Sequence, residues 1–489
     1  MADSISTFLE SYLINLFKIM KHGNYNEKVF TKKRSEILRI NQICEDLFSE
    51  DYILQVIDNS TEIFCPHYPP KIFLPYQKIS PEEDSRSSIL STNNIFIQSI
   101  TKSINARCRN RFAVPAFTFQ GKFLCRSSTL SGTFEIYGRQ YFTSVFGGSE
   151  LAAGNNPAKT TTGKEAFDQI RGDDKNLLEN LKIRYIFDLM LEKKKMMFGL
   201  PMSSSEKVDR HNRYKDFHVI SLPYPGCEFF NEWRSSGYLM KDMYFDWDNA
   251  EIDSSLQVPL SFRPTMTNFI KWEEYKKWDL TVLTTNYLKL IIGIIVEDDY
   301  SVLIHCISGW DRTPLFTSLI RCMLWADGFI HQSLNAQQIL YLTLAYDWYL
   351  FGHQTKLRLE AGEEIIKFTF CFLNKIAVDH TTSVNYVYQI LNRSANHSQG
   401  SQINHEDILQ QKICQRIEKL EKLYYHFNRL YDQEMSAIVD KSNKKGSKSL
   451  LYSASSLVNG LFIGNNSNNK SSQSCTVPHW NIDFDAVTM

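Results

Sequence analysis

Apolar and polar positions alternate with two different periods along the chain, and the change of period marks its organisation. From about 41 to 148, short apolar runs are separated by turn residues. There Phe112-Ala-Val-Pro-Ala-Phe-Thr-Phe119, the pair Gln120-Gly121 and Lys122-Phe-Leu-Cys125 predict a β-hairpin, because a two-residue turn ending in glycine joins two β-prone runs. Residues 147–175 are small, polar and rich in Gly and Thr, and predict a connecting loop. From about 176 to 375 the pattern becomes α/β. A short helix is expected over 177–181, and buried strands over 185–189 and 217–222, the second ended by Pro223-Tyr-Pro-Gly226. Within 272–296, Tyr275, Trp278, Val282, Leu283, Tyr287, Leu290 and Ile291 recur at helical spacing. A strand at 301–304 and helices at 314–325 and 336–351 complete this region. Such alternation predicts a mostly parallel sheet covered by helices.

Further on, Leu409, Ile413, Ile417, Leu420, Tyr424, Phe427, Tyr431 and Ile438 mark one amphipathic helix. It either packs on the core or pairs with a partner helix. From Lys441 onward Ser, Asn, Lys and Gly dominate, a composition that buries too little apolar surface to order the chain. The expected organisation is a β-rich N-terminal region (1–150) packed on the core, an α/β domain (151–393), a helix (405–440) and a disordered tail (441–489).

Composition narrows the partners. The 54 Lys and Arg residues balance 54 Asp and Glu, so nothing in bulk charge draws the chain to nucleic acid or an anionic surface; an anionic partner has to meet a local patch. The ten cysteines include no Cys-x-x-Cys pair, which argues against zinc modules. Residues 1–20 lack the pattern of a signal peptide, and the apolar stretch 288–296 is too short to cross a bilayer. The expectation is a cytoplasmic protein in a compartment that keeps thiols reduced, with no cofactor and no metal.

One segment carries chemistry: His305-Cys306-Ile307-Ser308-Gly309-Trp310-Asp311-Arg312-Thr313. A buried strand runs into a short loop and then into a helix with Pro314 in its first turn, where an amide has no intrahelical partner. The free amides and positive dipole end of that helix face the loop, so an anion belongs there. Cys306, at the strand end, is placed to be a thiolate and to attack phosphorus. Arg312, six residues on, presents a planar fork to two phosphate oxygens. Gly309 lets the backbone bend so that the amides of Ile307, Ser308 and Gly309 form a nest, Trp310 walls the pocket, and Thr313 offers its hydroxyl to sulfur. Asp311 is the nearest carboxylic acid and the first candidate for protonating the leaving oxygen. His305 is either a tuner of the cysteine or a core histidine. The run Lys193-Lys194-Lys195 is either a solvated face or a contact for lipid phosphates and the anionic bilayer.

Cys-x-x-Gly-Trp-Asp-Arg-Thr resembles the myotubularin family of phosphoinositide 3-phosphatases, where the acid lies inside the loop. Arg107-Cys-Arg-Asn-Arg-Phe112, Cys125-Arg-Ser-Ser-Thr-Leu-Ser-Gly132, Pro223-Tyr-Pro-Gly-Cys-Glu-Phe-Phe230 and Asp347-Trp-Tyr-Leu-Phe-Gly-His353 extend the resemblance toward the Jumpy branch. It implies a cysteine-based, dual-specificity-like fold, and removal of the D3 phosphate from phosphatidylinositol 3-phosphate and phosphatidylinositol 3,5-bisphosphate. Cys306 is then the nucleophile, Arg312 the phosphate ligand and Asp311 the acid. By position alone, Arg126 becomes a substrate contact. Transient membrane association and a place in endosomal or autophagic membrane turnover are implied as well. Most active myotubularins carry a second aspartate where this chain has Ser308, a serine shared by the Jumpy branch. In smaller dual-specificity phosphatases the acid sits on the loop after the strand that here ends at 222; this chain offers Cys227 and Glu228 there, so Glu228 is the alternative acid. Two rival readings remain at this point: a protein tyrosine phosphatase, and a scaffold that binds other myotubularins through the helix at 405–440.

Overall fold

The computed structural model describes residues 2–22, 27–78, 96–132, 135–136, 163–197, 200–209, 211–250, 252–395 and 402–444. The chain begins with two long helices, Ala2–His22 and Glu27–Asp51. Strands β1 (Tyr52–Asp58) and β2 (Lys71–Gln77) then pair antiparallel. The β-rich expectation for 1–150 is corrected here at its start. Leu13, Leu16, Phe17 and Met20 follow a helical period and are buried in the core.

A five-stranded sheet carries the cysteine strand at its centre. Its strands are β3 (Val114–Phe119), β4 (Lys122–Ser128), β6 (Ile183–Asp188), β9 (His218–Ser221) and β10 (Ser301–Cys306), in the order β3-β4-β10-β6-β9. The pairs β4/β10, β10/β6 and β6/β9 are parallel, and only the edge strand β3 runs antiparallel. Gln120 (φ 49°) and Gly121 (φ 77°) both adopt the left-handed region, the geometry a two-residue hairpin turn needs. Strands β3 and β4 therefore belong to the same sheet as β10, and no boundary near 150 separates them from the cysteine strand. A small antiparallel sheet, β5 (Leu130–Ser131), β8 (Leu200–Ser204) and β7 (Lys194–Met197), flanks it.

Every residue of β10 is buried, as expected of a central strand with parallel neighbours on both sides. The helix Arg312–Ala326 that leaves it is buried along its whole length. The helix Leu280–Glu297, preceded by a 3₁₀ segment at Trp272–Lys277, is apolar and long enough to suit a membrane, yet most of it lies inside the core. The segment expected as one helix at 336–351 is α-helical over Ala336–Leu342 and continues as a π-helix over Thr343–Leu350, a form frequent near functional sites.

Two further expectations change. Residues 163–180 form the helix Gly163–Asn180, so the loop predicted over 147–175 ends by 162; its remainder, 147–162, lies outside the described residues. The amphipathic helix spans Gln402–Lys444, and Leu420, Leu423, Phe427, Leu430 and Met435 are buried against this chain's own core. Among the described residues, this apolar stripe is thus packed within the molecule. The tail beyond 444 lies outside the described residues.

Candidate active site

The loop between β10 and the helix Arg312–Ala326 closes on the sulfur of Cys306. Gly309 has φ +69°, and a Cβ built there meets the Ser127 carbonyl oxygen at 2.6 Å, so both backbone conformation and space require glycine. With that turn made, the Gly309 amide donates to Cys306 Sγ at 3.3 Å and the Thr313 hydroxyl donates to it at 3.2 Å. Burial alone would push the thiol up. The Arg312 guanidinium, then the Thr313 hydroxyl and amide, outweigh it, and the net shift is below the ordinary cysteine value. Arg312 Nη1 donates to the carbonyl oxygens of Leu189 (2.8 Å) and Tyr224 (3.1 Å), which anchors the fork at the ends of β6 and β9.

Asp311 is placed differently from an acid waiting with its proton. Its carboxylate meets Arg358 Nη2 at 2.6 Å and His353 Nδ1 at 2.9 Å. His353 Nδ1 also lies 3.1 Å from the Trp310 carbonyl oxygen, which can only accept; Nδ1 therefore carries the hydrogen. Burial favours the neutral acid, but Arg358, then His353 and the Cys227 thiol, hold Asp311 well below the usual carboxylate range. Arg358 is shared with Glu363 at 2.5 Å.

Arginines brace the loop from behind and from the side. Arg126 is 1% exposed, and its Nη1 and Nη2 donate to the carbonyls of Asp347 (2.6 Å) and Gly309 (3.0 Å) over the Phe351 ring. Arg111 Nη2 reaches the same Gly309 carbonyl at 3.2 Å. The π-helical Asp347 is itself held by Arg321 at 2.7 and 2.8 Å. Arg109 lies over the Trp310 ring, 4.7 Å from its centroid, and donates to Ser308 Oγ at 2.9 Å.

His305 points to the other side of β10, into a buried ionic cluster. Its Nε2 is 2.9 Å from Glu206; Glu206 and Asp174 flank Arg107, and Lys207 lies 2.9 Å from Asp188. Burial opposes charge on His305, but Glu206 and Asp188 prevail and raise its pKa. With His305 as a cation, three carboxylates face three cations, which is how such a cluster tolerates burial. Arg107 also donates to the Ser128 carbonyl (3.0 Å), tying the cluster to the strand beside the loop.

The structure thus brings Cys306, Ile307, Ser308, Gly309, Trp310, Asp311, Arg312 and Thr313 together on one turn. It corrects Arg126, whose donors face backbone carbonyls, so that it braces the loop instead of facing a ligand. Lys193 sits on an exposed turn, its amide donating to Asp253 at 2.5 Å; Lys195 is paired with Glu192 at 2.8 Å. Glu228 is exposed and folds against Gly226. Three neighbours of the loop, Arg109, His353 and Arg358, are not candidates on sequence grounds. Their partners lie 199, 42 and 47 positions away, and Arg109 and His353 stand out only as parts of Arg107–Phe112 and Asp347–His353.

Residues 15–411 match the family model described as the myotubularin-like phosphatase domain. The chain is 43% identical over 387 residues to a Mus musculus protein named phosphatidylinositol-3,5-bisphosphate 3-phosphatase MTMR14, covering 77% of this chain and 58% of that protein. It is 44% identical over 360 residues to the Homo sapiens protein of the same name, covering 72% and 55% respectively. A 64-residue stretch is 41% identical to myotubularin of Rattus norvegicus, 13% of this chain and 10% of that one. The chain spans little more than half the length of the two longer matches.

Proposed function

This chain belongs to the myotubularin-like phosphatase family, and on that premise we propose that it is a cysteine-dependent phosphoinositide 3-phosphatase. The observation that carries the reading is the sulfur of Cys306, facing two hydrogen-bond donors and the Arg312 guanidinium at the start of a buried helix. The substrates are phosphatidylinositol 3-phosphate and phosphatidylinositol 3,5-bisphosphate, in keeping with the names of the two longer matches. The fold is of the cysteine-based, dual-specificity-like kind, and the protein works from the cytoplasm by transient contact with a membrane.

The phosphate seats on the loop amides and the free edge of Arg312. Cys306 attacks phosphorus; the S–P bond forms as the bond from phosphorus to the ring oxygen breaks. The leaving oxygen takes a proton from Asp311. That proton arrives with the substrate: the phosphate enters as its monoanion and passes the proton to Asp311, whose proton affinity the resulting dianion raises against Arg358. Water then attacks the phosphocysteine and gives a proton to the Asp311 carboxylate. Sulfur departs as a thiolate onto the Thr313 hydroxyl and Gly309 amide.

The test is phosphate release from short-chain phosphatidylinositol 3-phosphate, its 4-phosphate isomer and a phosphotyrosine peptide, with Cys306→Ser as control. Selective release from the 3-phosphate, lost in the variant, is expected. Release mainly from the peptide would move the chain to the tyrosine-phosphatase reading, and release from none would favour a scaffold. Asp311→Asn should lose most of the lipid activity while Glu228→Gln retains it; the reverse moves the acid role to Glu228.

A further inference from the structure

Arg109 is held in an unfavourable backbone conformation, and among the described residues its guanidinium forms no ion pair with a carboxylate. Its φ and ψ are 55° and 32°, and Asn110 beside it has φ 58°, so two successive non-glycine residues occupy the left-handed region. Such strain persists where surrounding contacts enforce it, and it gathers at ligand sites. Here the Arg109 amide is pinned by Glu135 Oε1 at 2.8 Å and its carbonyl accepts from the Cys65 thiol. The result is a guanidinium lying along the Trp310 face with Nη1 on Ser308 Oγ.

The neighbouring arginines each hold a carboxylate or backbone carbonyls. Carboxylates match Arg107 and Arg358, and backbone carbonyls occupy Arg111 and Arg126. Among the described residues, the Arg109 guanidinium meets a hydroxyl and an aromatic ring but no carboxylate. Serine at 308 satisfies one N–H and leaves the charge intact. An acidic residue there would neutralise it. Arg109 is half-buried and within electrostatic reach of both Cys306 and Asp311, which places its guanidinium beside the nucleophile loop.

Resting on the reading of the preceding section, we infer that Arg109, kept unneutralised by Ser308, binds a phosphate of the headgroup other than the one being cleaved. The scissile phosphate already has the loop amides and Arg312. A guanidinium on the Trp310 side of the loop meets the headgroup at a separate point. That makes Arg109 a specificity determinant, favouring headgroups with an additional ring phosphate over those with one.

The experiment measures binding of two soluble headgroups, inositol 1,3-bisphosphate and inositol 1,3,5-trisphosphate, by calorimetry to Cys306→Ser protein. The trisphosphate should bind about tenfold more tightly, the worth of one charge-assisted contact of roughly 1.4 kcal/mol. Adding Arg109→Gln removes that preference, Arg109→Lys restores part of it, and Ser308→Asp removes it without touching Arg109. Arg109→Gln and Ser308→Asp together lose no more than either alone. A preference that survives both substitutions, or none in the parent protein, overturns the inference. Should neither headgroup bind, and the unsubstituted protein release phosphate from neither lipid, the phosphoinositide reading falls first and this one with it. Retained 3-phosphatase activity with no trisphosphate preference refutes the Arg109 role alone.

Discussion

Replacing Thr313 by valine removes one hydrogen bond to the nucleophile and almost nothing else. The side chain is fully buried, valine has nearly its shape, and the Thr313 hydroxyl makes its contact at 3.2 Å with Cys306 Sγ. A hydrogen bond to a charged acceptor contributes about 1.5–3 kcal/mol. Sulfur is a diffuse acceptor, so the lower end applies. At about 1.4 kcal/mol per pH unit, the thiol pKa should rise by about one unit in the variant. The direction follows from the balance at the site: burial opposes the thiolate, and Arg312 with Thr313 overcomes it, so losing a donor moves Cys306 back toward the ordinary value. The assay is the rate of alkylation by iodoacetamide, a neutral reagent, as a function of pH, read as the midpoint of the thiolate titration. Thr313→Ser keeps the hydroxyl and should keep the midpoint. In turnover, Thr313→Val should also slow breakdown of the phosphocysteine, giving a larger burst of the dephosphorylated inositol product, ahead of phosphate release, than the parent. If the alkylation midpoint moves by less than about 0.3 units, the Thr313 hydroxyl does not stabilise the thiolate and the argument for its role is wrong.

Gly309→Ala forces a Cβ into the Ser127 carbonyl, which is backbone and cannot swing aside. A misplaced loop should cost about 100-fold in kcat/KM for every substrate, and loss of less than threefold would contradict the required turn. Arg126→Met leaves the Gly309 and Asp347 carbonyls without that donor, so thermal or urea unfolding should show a loss of about 2–4 kcal/mol. The same variant should reduce activity on mono- and bisphosphate lipids alike; a selective loss on one would return Arg126 to the substrate contacts. Arg358→Met acts on stability through pH. Because the folded Asp311 pKa is depressed, its contribution is present above the unfolded carboxylate value and is lost as pH falls from there toward the folded value. The variant should therefore lose stability at pH 7 but show a smaller further loss than the parent as pH falls below about 4, as measured by urea melts; parallel curves there would refute the ion pair.

Local signals made the strand–loop–helix unit legible. The apolar run before Cys306, glycine at the bend and Pro314 in the first turn act within a few residues of one another, and the Gln120-Gly121 hairpin is equally local. Residues 163–180 read differently because Gly163 and the Gly/Thr-rich run before it hide the helical spacing of Phe167, Arg171, Asp174 and Leu178. The clamp on Asp311 and the pairing of Arg109 with Ser308 depend on side chains from distant segments, and no local period records such contacts. Arg126 shows the converse error: position in a motif says that a residue is near the loop, not which way its donors face.

The long final helix sets where this chain can be divided. The helix Arg312–Ala326 ends at Asp327, whose carboxylate pairs with the buried Arg416 at 3.1 Å and accepts from Ser383 and the Val384 amide. Tyr431 donates to the buried Glu364 at 2.8 Å. A rod of about 22 Å therefore has the nucleophile loop at one end and a socket built from Ser383, Val384 and Arg416 at the other. A fragment cut at 393 would keep every residue named in the chemistry, yet it would expose Leu420's seat and strand Asp327 without its cation. Proteolysis or splicing that removes 402–444 would silence the loop from the opposite side of the molecule, with the active-site residues themselves left intact.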